Sequence, residues 1–338
     1  MTNAFIFPQR TPRFTPGGPG RLLLAGAFGL ATLGFHPAAS TAAEAAGVAK
    51  ESAGLAGQSA DKPIAEFFNV GITHAAFRNI NPNDAAAAYM AVLETIGRHH
   101  GRHFKATTQI FDDPAAYEAA IRGGSFHLSV VGAWDYLSMH IDDVAKPRFV
   151  VVENGQIGRR YLVLTRRDSG LNALSDLRGK NILKLDYAAL GAALRWLDTL
   201  LAAGRLGPQE QFFGSVEVVG KPSAAVLSVF FGKKSACVVD ESIFKIMKEL
   251  NPQVGVALQV VASSEKFADV VICVGESGWP SEAVKAETIR ALADLAQDPG
   301  GRQVLTLFKI DQMVPFRDEY LDTIRQLQAA YAKLSSED

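Results

Sequence analysis

The sequence predicts an α/β protein of two lobes, each a mixed sheet flanked by helices, and three observations carry that expectation. The chain has 338 residues, about two domains at ~100–200 residues each. From about residue 65 to residue 275, short apolar runs suited to strands alternate with helix-periodic segments, the order that builds open sheets with helices on their faces. The last helical segments, near 281–297, 301–309 and 317–334, bring no strands of their own, so they are expected to return to a sheet already made. That return gives two hinge crossings and lobes of 63–168 plus 263–338 and of 169–262.

Taken in order, AEFFNVGI (65–72) reads as the first strand, followed by a polar loop. Asp84 then caps a helix that places Tyr89, Leu93 and Ile96 on one face. HFKATTQI, FHLSVVG and RFVVVE read as strands, with helical segments PAAYEAAIRG and AWDYLSMH between them. RRYLVLTRR follows the turn ENGQIG as another strand. The middle block is a complete α/β unit: a strand over 180–185, a helix with Leu190, Leu194, Leu197 and Leu201 on one face, strands SVEVVG and SACVVD, and helices SAAVLSVFF and ESIFKIMKEL. LQVVAS and DVVICVG close the strand list.

Composition narrows the class. With 48% hydrophobic and 20% charged residues the chain can bury a core. A formal charge of -1 lacks the basic excess of a nucleic-acid binder. Residues 1–43 differ from the rest. Arg10, Arg13 and Arg21 precede the apolar run Leu22–Phe35 and then small residues, the order of a cleavable secretory leader, in a run short for a membrane span. An uncleaved anchor is the alternative. Without those three arginines, 31 basic residues face 35 acidic ones, a formal charge of -4, so anion capture would fall to local groups. Residues 44–62 are small and polar, a flexible lead-in. Cys237 and Cys273, both in apolar runs, read as buried inert thiols.

Enzyme signatures such as G-x-S-x-G, G-x-x-x-x-G-K-[ST] and a strand-borne G-x-G-x-x-G do not occur in the sequence. His99, His100 and His103 have partial metal-ligand spacing, but Gly101 interrupts the helix between them, and positive groups at a helix C-terminus are the simpler reading. No metal, cofactor or catalytic residue is expected.

Three stretches carry a resemblance: GAWDYL (132–137), YLVLTRRDSGLNALSDLRGKNILKLD (161–186) and FFGKKSACVVDE (230–241), together with the early FRNINP loop. They resemble the phosphate/phosphite/phosphonate-binding family of ABC-transporter solute receptors, from about Val70 to about Phe316. The resemblance implies the type II periplasmic binding protein fold. It also implies a periplasmic, monomeric receptor that closes on a small anionic solute between its lobes and docks on a membrane permease.

Mapped onto this chain, the family's ligand contacts are His74, Arg78 and Asn79 after the first strand, and Trp134 and Tyr136 beside Gly132. A family turn rich in Ser and Thr corresponds to Asp186-Tyr187-Ala188-Ala189-Leu190-Gly191, where the phenol of Tyr187 is the one hydroxyl. Lys221 and Ser223 stand where a His-Asp pair is usual, and Asp240 with Glu241 forms the late acidic turn. Helix starts supply backbone N–H donors and partial positive charge, and the guanidinium fork of Arg78 suits an oxyanion. Tyr136 is favoured over Trp134 as a cleft floor. The default role for Asp240 and Glu241 is electrostatic support of a helix start. A periplasmic sensory or accessory protein binding a different solute is the alternative function, and an enzyme on the same fold is the least favoured.

Overall fold

The alternation read from the sequence forms two separate sheets in the computed structural model, which describes residues 66–73, 76, 82–99, 104–185 and 191–334. The segments expected as leader and lead-in lie outside these residues.

The first run of elements is β1 (Glu66–Thr73), α1 (Pro82–His99), β2 (Phe104–Phe111), α2 (Pro114–Arg122), β3 (Leu128–Gly132), α3 (Ala133–Met139), β4 (Ala145–Glu153) and β5 (Gln156–Ile157). The middle run is β6 (Tyr161–Arg166), β7 (Asn181–Leu185), α4 (Gly191–Ala203), α5 (Gln209–Phe212), β8 (Ser215–Val219), α6 (Pro222–Phe230), β9 (Ala236–Asp240), α7 (Glu241–Leu250), α8 (Pro252–Ala257) and β10 (Leu258–Ser263). The last is β11 (Val270–Gly275), α9 (Glu282–Ala293), α10 (Pro299–Leu307), β12 (Gln312–Pro315) and α11 (Asp322–Leu334).

One sheet has the order β12-β4-β11-β3-β1-β2, with β5 paired to β4, and the other β10-β6-β9-β7-β8. In the first, β1 is parallel to β2 and β3, while β11 runs antiparallel to β3 and β4. In the second, β7 is parallel to β8 and β9, and β6 is antiparallel to β9 and β10. Both sheets are therefore mixed. The central strands LSVVG, ACVVD and VVICVG are buried at every position, as continuous apolar runs require when helices cover both faces.

Three elements depart from the sequence expectation. Strand β6, placed with the first lobe by the boundary at residue 168, pairs with β9 and β10 in the second sheet. The terminal helices do bring a strand: β12 pairs antiparallel with β4. Its four residues are too few to show a period, and its Pro315 suits an edge position. The last helix, α11, packs against both α3 and α4, so it touches helices attached to each sheet.

Cys237 and Cys273 are free, buried and in different sheets. Burial drives both thiols above their ordinary pKa, which suppresses the nucleophilic thiolate. Iodoacetamide at neutral pH is accordingly expected to leave both unmodified in the folded protein and to label both in denaturant; labelling of the native chain would refute it. Among the described residues no helix is long and apolar enough to cross a membrane.

Candidate functional site

The two sheets meet where the chain crosses between them. The first crossing, residues 158–160, joins β5 to β6, and the second, 264–269, joins β10 to β11. They are bound to each other: the Arg159 N–H donates to the Phe267 carbonyl at 2.8 Å and the Phe267 N–H returns to the Arg159 carbonyl at 2.8 Å. Gly158 permits this approach. It lies at φ +77, and a Cβ there would fall 2.5 Å from the Phe267 oxygen. Each crossing also holds a helix start, because Ala133 N–H donates to the Asp269 carbonyl at 2.8 Å and Glu241 N–H to the Arg160 carbonyl at 2.9 Å.

Arg159 is the polar centre of this junction. Its Nε donates to Asp269 at 2.8 Å, one terminal nitrogen to Asp240 at 2.9 Å, and the other to Glu153. Glu153 ends β4 of the first sheet and Asp240 ends β9 of the second, so one planar guanidinium ties the two sheets together. Burial works against its charge, and Asp269, Glu153 and Asp240 outweigh that, holding the group above its ordinary pKa. Three carboxylates engage all three nitrogens of this guanidinium, so Arg159 is committed within the protein, while Arg160, Lys245 and Lys248 line the groove beside it.

A groove of about 510 Å³ runs between the β4–β5 turn and the start of α7, with Asn154, Gln156, Arg160, Glu241, Ser242 and Lys245 on its walls. Behind it, toward the first sheet, lies an apolar chamber of about 230 Å³.

The sequence-predicted positions fall into three groups. His74, Arg78, Asn79, Tyr187, Ala188 and Ala189 lie outside the described residues. They follow the C-terminal ends of β1 and β7 directly.

Trp134 and Tyr136 already have partners. The guanidinium of Arg195, from α4, sits 4.1 Å from the centroid of the Trp134 ring, and Tyr331 of α11 meets the same ring edge-on at 5.9 Å. Tyr136, favoured as a cleft floor, is 5% exposed. It donates to Asp142 and packs against Phe316, and burial followed by the Asp142 contact raises its pKa. The reason is period: Ala133, Tyr136 and Met139 are the buried positions of α3, three apart on one face.

Lys221 and Ser223 are exposed at the start of α6, where Lys221 is the N-cap residue without a side-chain cap bond. Asp240 is 2% exposed. One of its oxygens accepts the Ser242 N–H at 2.7 Å while the other takes Arg159, so it serves the α7 start and the junction at once.

Arg159 itself escaped the sequence reading. Its weak signal was the tandem Arg159-Arg160 between a glycine turn and an apolar strand, and two of its three carboxylates, Asp240 and Asp269, are distant in sequence. The described residues contain no cluster of His, Cys, Asp and Glu suited to a metal ion; His100 and His103 lie outside them.

Comparison with known proteins places this architecture. Solved structures share the fold: the Xanthomonas citri protein XAC2383 bound to ATP (TM-score 0.60, 14% identity, 80% of this chain and 99% of that one) is one. A binding protein component of an ABC phosphonate transporter from Pseudomonas aeruginosa (0.55, 14%, 80% and 87%) is another. PhnD1 from Prochlorococcus marinus in complex with methylphosphonate (0.53, 12%, 79% and 99%) is a third. No curated protein matches the sequence. A family model described as "ABC transporter, phosphonate, periplasmic substrate-binding protein" matches residues 75–321. The chain therefore belongs to the phosphonate-type periplasmic substrate-binding proteins of ABC transporters.

Proposed function

We propose that this chain is exported and serves as the solute receptor of an ABC importer, closing on a small oxyanion of phosphonate, phosphite or phosphate type and delivering it to a membrane permease without chemistry of its own. The observation that carries this reading is the family match across residues 75–321. It spans both sheets and both crossings, the two-lobed frame on which hinge closure around a ligand depends. The lobes in this reading divide at 158–160 and 264–269, and the leader supplies export.

The anion is assigned away from Arg159, whose guanidinium is already committed to three carboxylates, and toward the helix starts that follow β1, β7 and β8. Arg78, with His74 and Asn79, is the proposed charged grip. The Tyr187-Ala188-Ala189 turn, Lys221 and Ser223 contribute backbone donors and one further cation. Trp134, Tyr136 and Asp240 are left to support the site, since their polar groups or faces are engaged within the protein.

Thermal denaturation tests it. Methylphosphonate, phosphite or phosphate at about a hundredfold over its Kd is expected to stabilise the protein by about 2.7 kcal/mol, and Arg78→Ala to lose most of that response. If millimolar concentrations of all three leave the midpoint unmoved, the reading fails. Unchanged affinity in Arg78→Ala would remove the role from that residue alone.

A further inference from the structure

Resting on the receptor reading, we infer that the captured solute carries an apolar substituent, and that the chamber beneath α1 and α10 receives it. The chamber has a volume of about 230 Å³, more than the ~150 Å³ in which an apolar protein cavity holds a benzene molecule. Its floor is the first sheet, through Val70, Val130, Val151 and Ile272. Tyr89 of α1 and Phe308 after α10 pack together over it, with ring centroids 4.8 Å apart.

Two observations make this a ligand chamber rather than a packing fault in one lobe. The second lobe forms part of its wall: Ile243 and Ile246 of α7 face it, and Ile246 is 46% exposed. An apolar side chain left open to the space between lobes gains its burial when a ligand occupies that space, at about 25 cal/mol per Å² of apolar surface removed from water.

The polar groups are also grouped. Of the polar residues among its described lining, Glu153, Asn154, Arg159 and Ser242 also line the groove of about 510 Å³, so the chamber is polar where it adjoins the groove and mainly apolar elsewhere, the asymmetry that orients a molecule with one polar and one apolar end. Ala76 lines the chamber too, two residues before Arg78. A bare phosphate or phosphite would leave the chamber unused, and an aminoalkyl substituent would bring an ammonium into an apolar space at a large desolvation cost.

Calorimetric titration with methyl-, butyl- and hexylphosphonate reads this directly. Affinity is expected to rise about fourfold per added methylene until the chamber is full, and Val130→Phe, which fills it from the floor, to bring hexylphosphonate down toward methylphosphonate. Should Val130→Phe not fold, Ile246→Asn at the exposed wall is expected to weaken hexylphosphonate several-fold more than methylphosphonate. Equal affinities across the series, or a chain-length gain that survives these substitutions, would overturn the inference while leaving the oxyanion reading intact. A neutral probe separates the two ideas. Thermal stabilisation by toluene, with no response to any phosphonate, would uphold the chamber and sink the receptor reading on which its occupant was named.

Discussion

Replacing Arg159 with methionine is expected to cost the fold about 3–5 kcal/mol, the loss that follows when one partner of a buried ion pair is removed. Methionine fills similar space, so the effect isolates charge. What remains is a cluster of carboxylates without its cation: Asp240 and Asp269 have side chains only 3% and 7% exposed, and that of Glu153 is 16% exposed. For a chain of this size the midpoint should fall on the order of 10 °C.

Arg159→Lys is expected to recover less than half of the loss. A single ammonium on a flexible stem cannot present three donors in the separate, fixed directions that Glu153, Asp240 and Asp269 occupy. A drop of less than ~1 kcal/mol in the methionine variant, the range of exposed pairs, would show that water already satisfies these carboxylates and that Arg159 does not tie the sheets.

Gly158→Ala is the second large effect. Two costs combine at this residue. A non-glycine side chain in the left-handed region costs about 1–2 kcal/mol, and its Cβ would meet backbone atoms of Phe267 and Ala268 at 2.5–2.8 Å, forcing the crossings apart at a further ~1–3 kcal/mol. Because those atoms belong to the backbone of the second crossing, no side chain can swing away to relieve the clash.

Gly155→Ala is the matched control. It has φ +70 with nothing within 4 Å of the added Cβ, so it carries the conformational cost alone. Denaturant titration of the pair should show Gly158→Ala losing at least twice as much as Gly155→Ala. Equal losses would mean that the crossings can separate freely and that their paired hydrogen bonds do not define the junction.

Both predictions concern a part of the molecule that local sequence could not reveal. Burial of β3, β9 and β11 was legible because their apolar runs are continuous, and helices α1 to α4 announced themselves by spacing and by turn residues. Strand β6 was recognised as a strand but assigned to the wrong sheet. Its own sequence, YLVLTR, fits either sheet equally well, and membership is decided by the partners it finds in β9 and β10. Strand β12 was invisible because four residues ending in proline carry no period. Tyr136 looked like a cleft residue from its motif, yet its place on the inward stripe of α3 buries it against Phe316 and Asp142.

What the sequence determined by itself was the class: mixed α/β layers, an apolar core in each, inert cysteines in central strands, and stretches that carry the family. These are local or compositional properties, fixed by period and by the free energy of burying apolar surface. Only the tertiary structure decided which groups meet. Arg159 gathers carboxylates from positions 153, 240 and 269, and α7 turns Ile243 and Ile246 toward a chamber built by the other lobe. Contacts across such sequence separations depend on how two sheets dock through paired crossings, and no local pattern encodes that geometry.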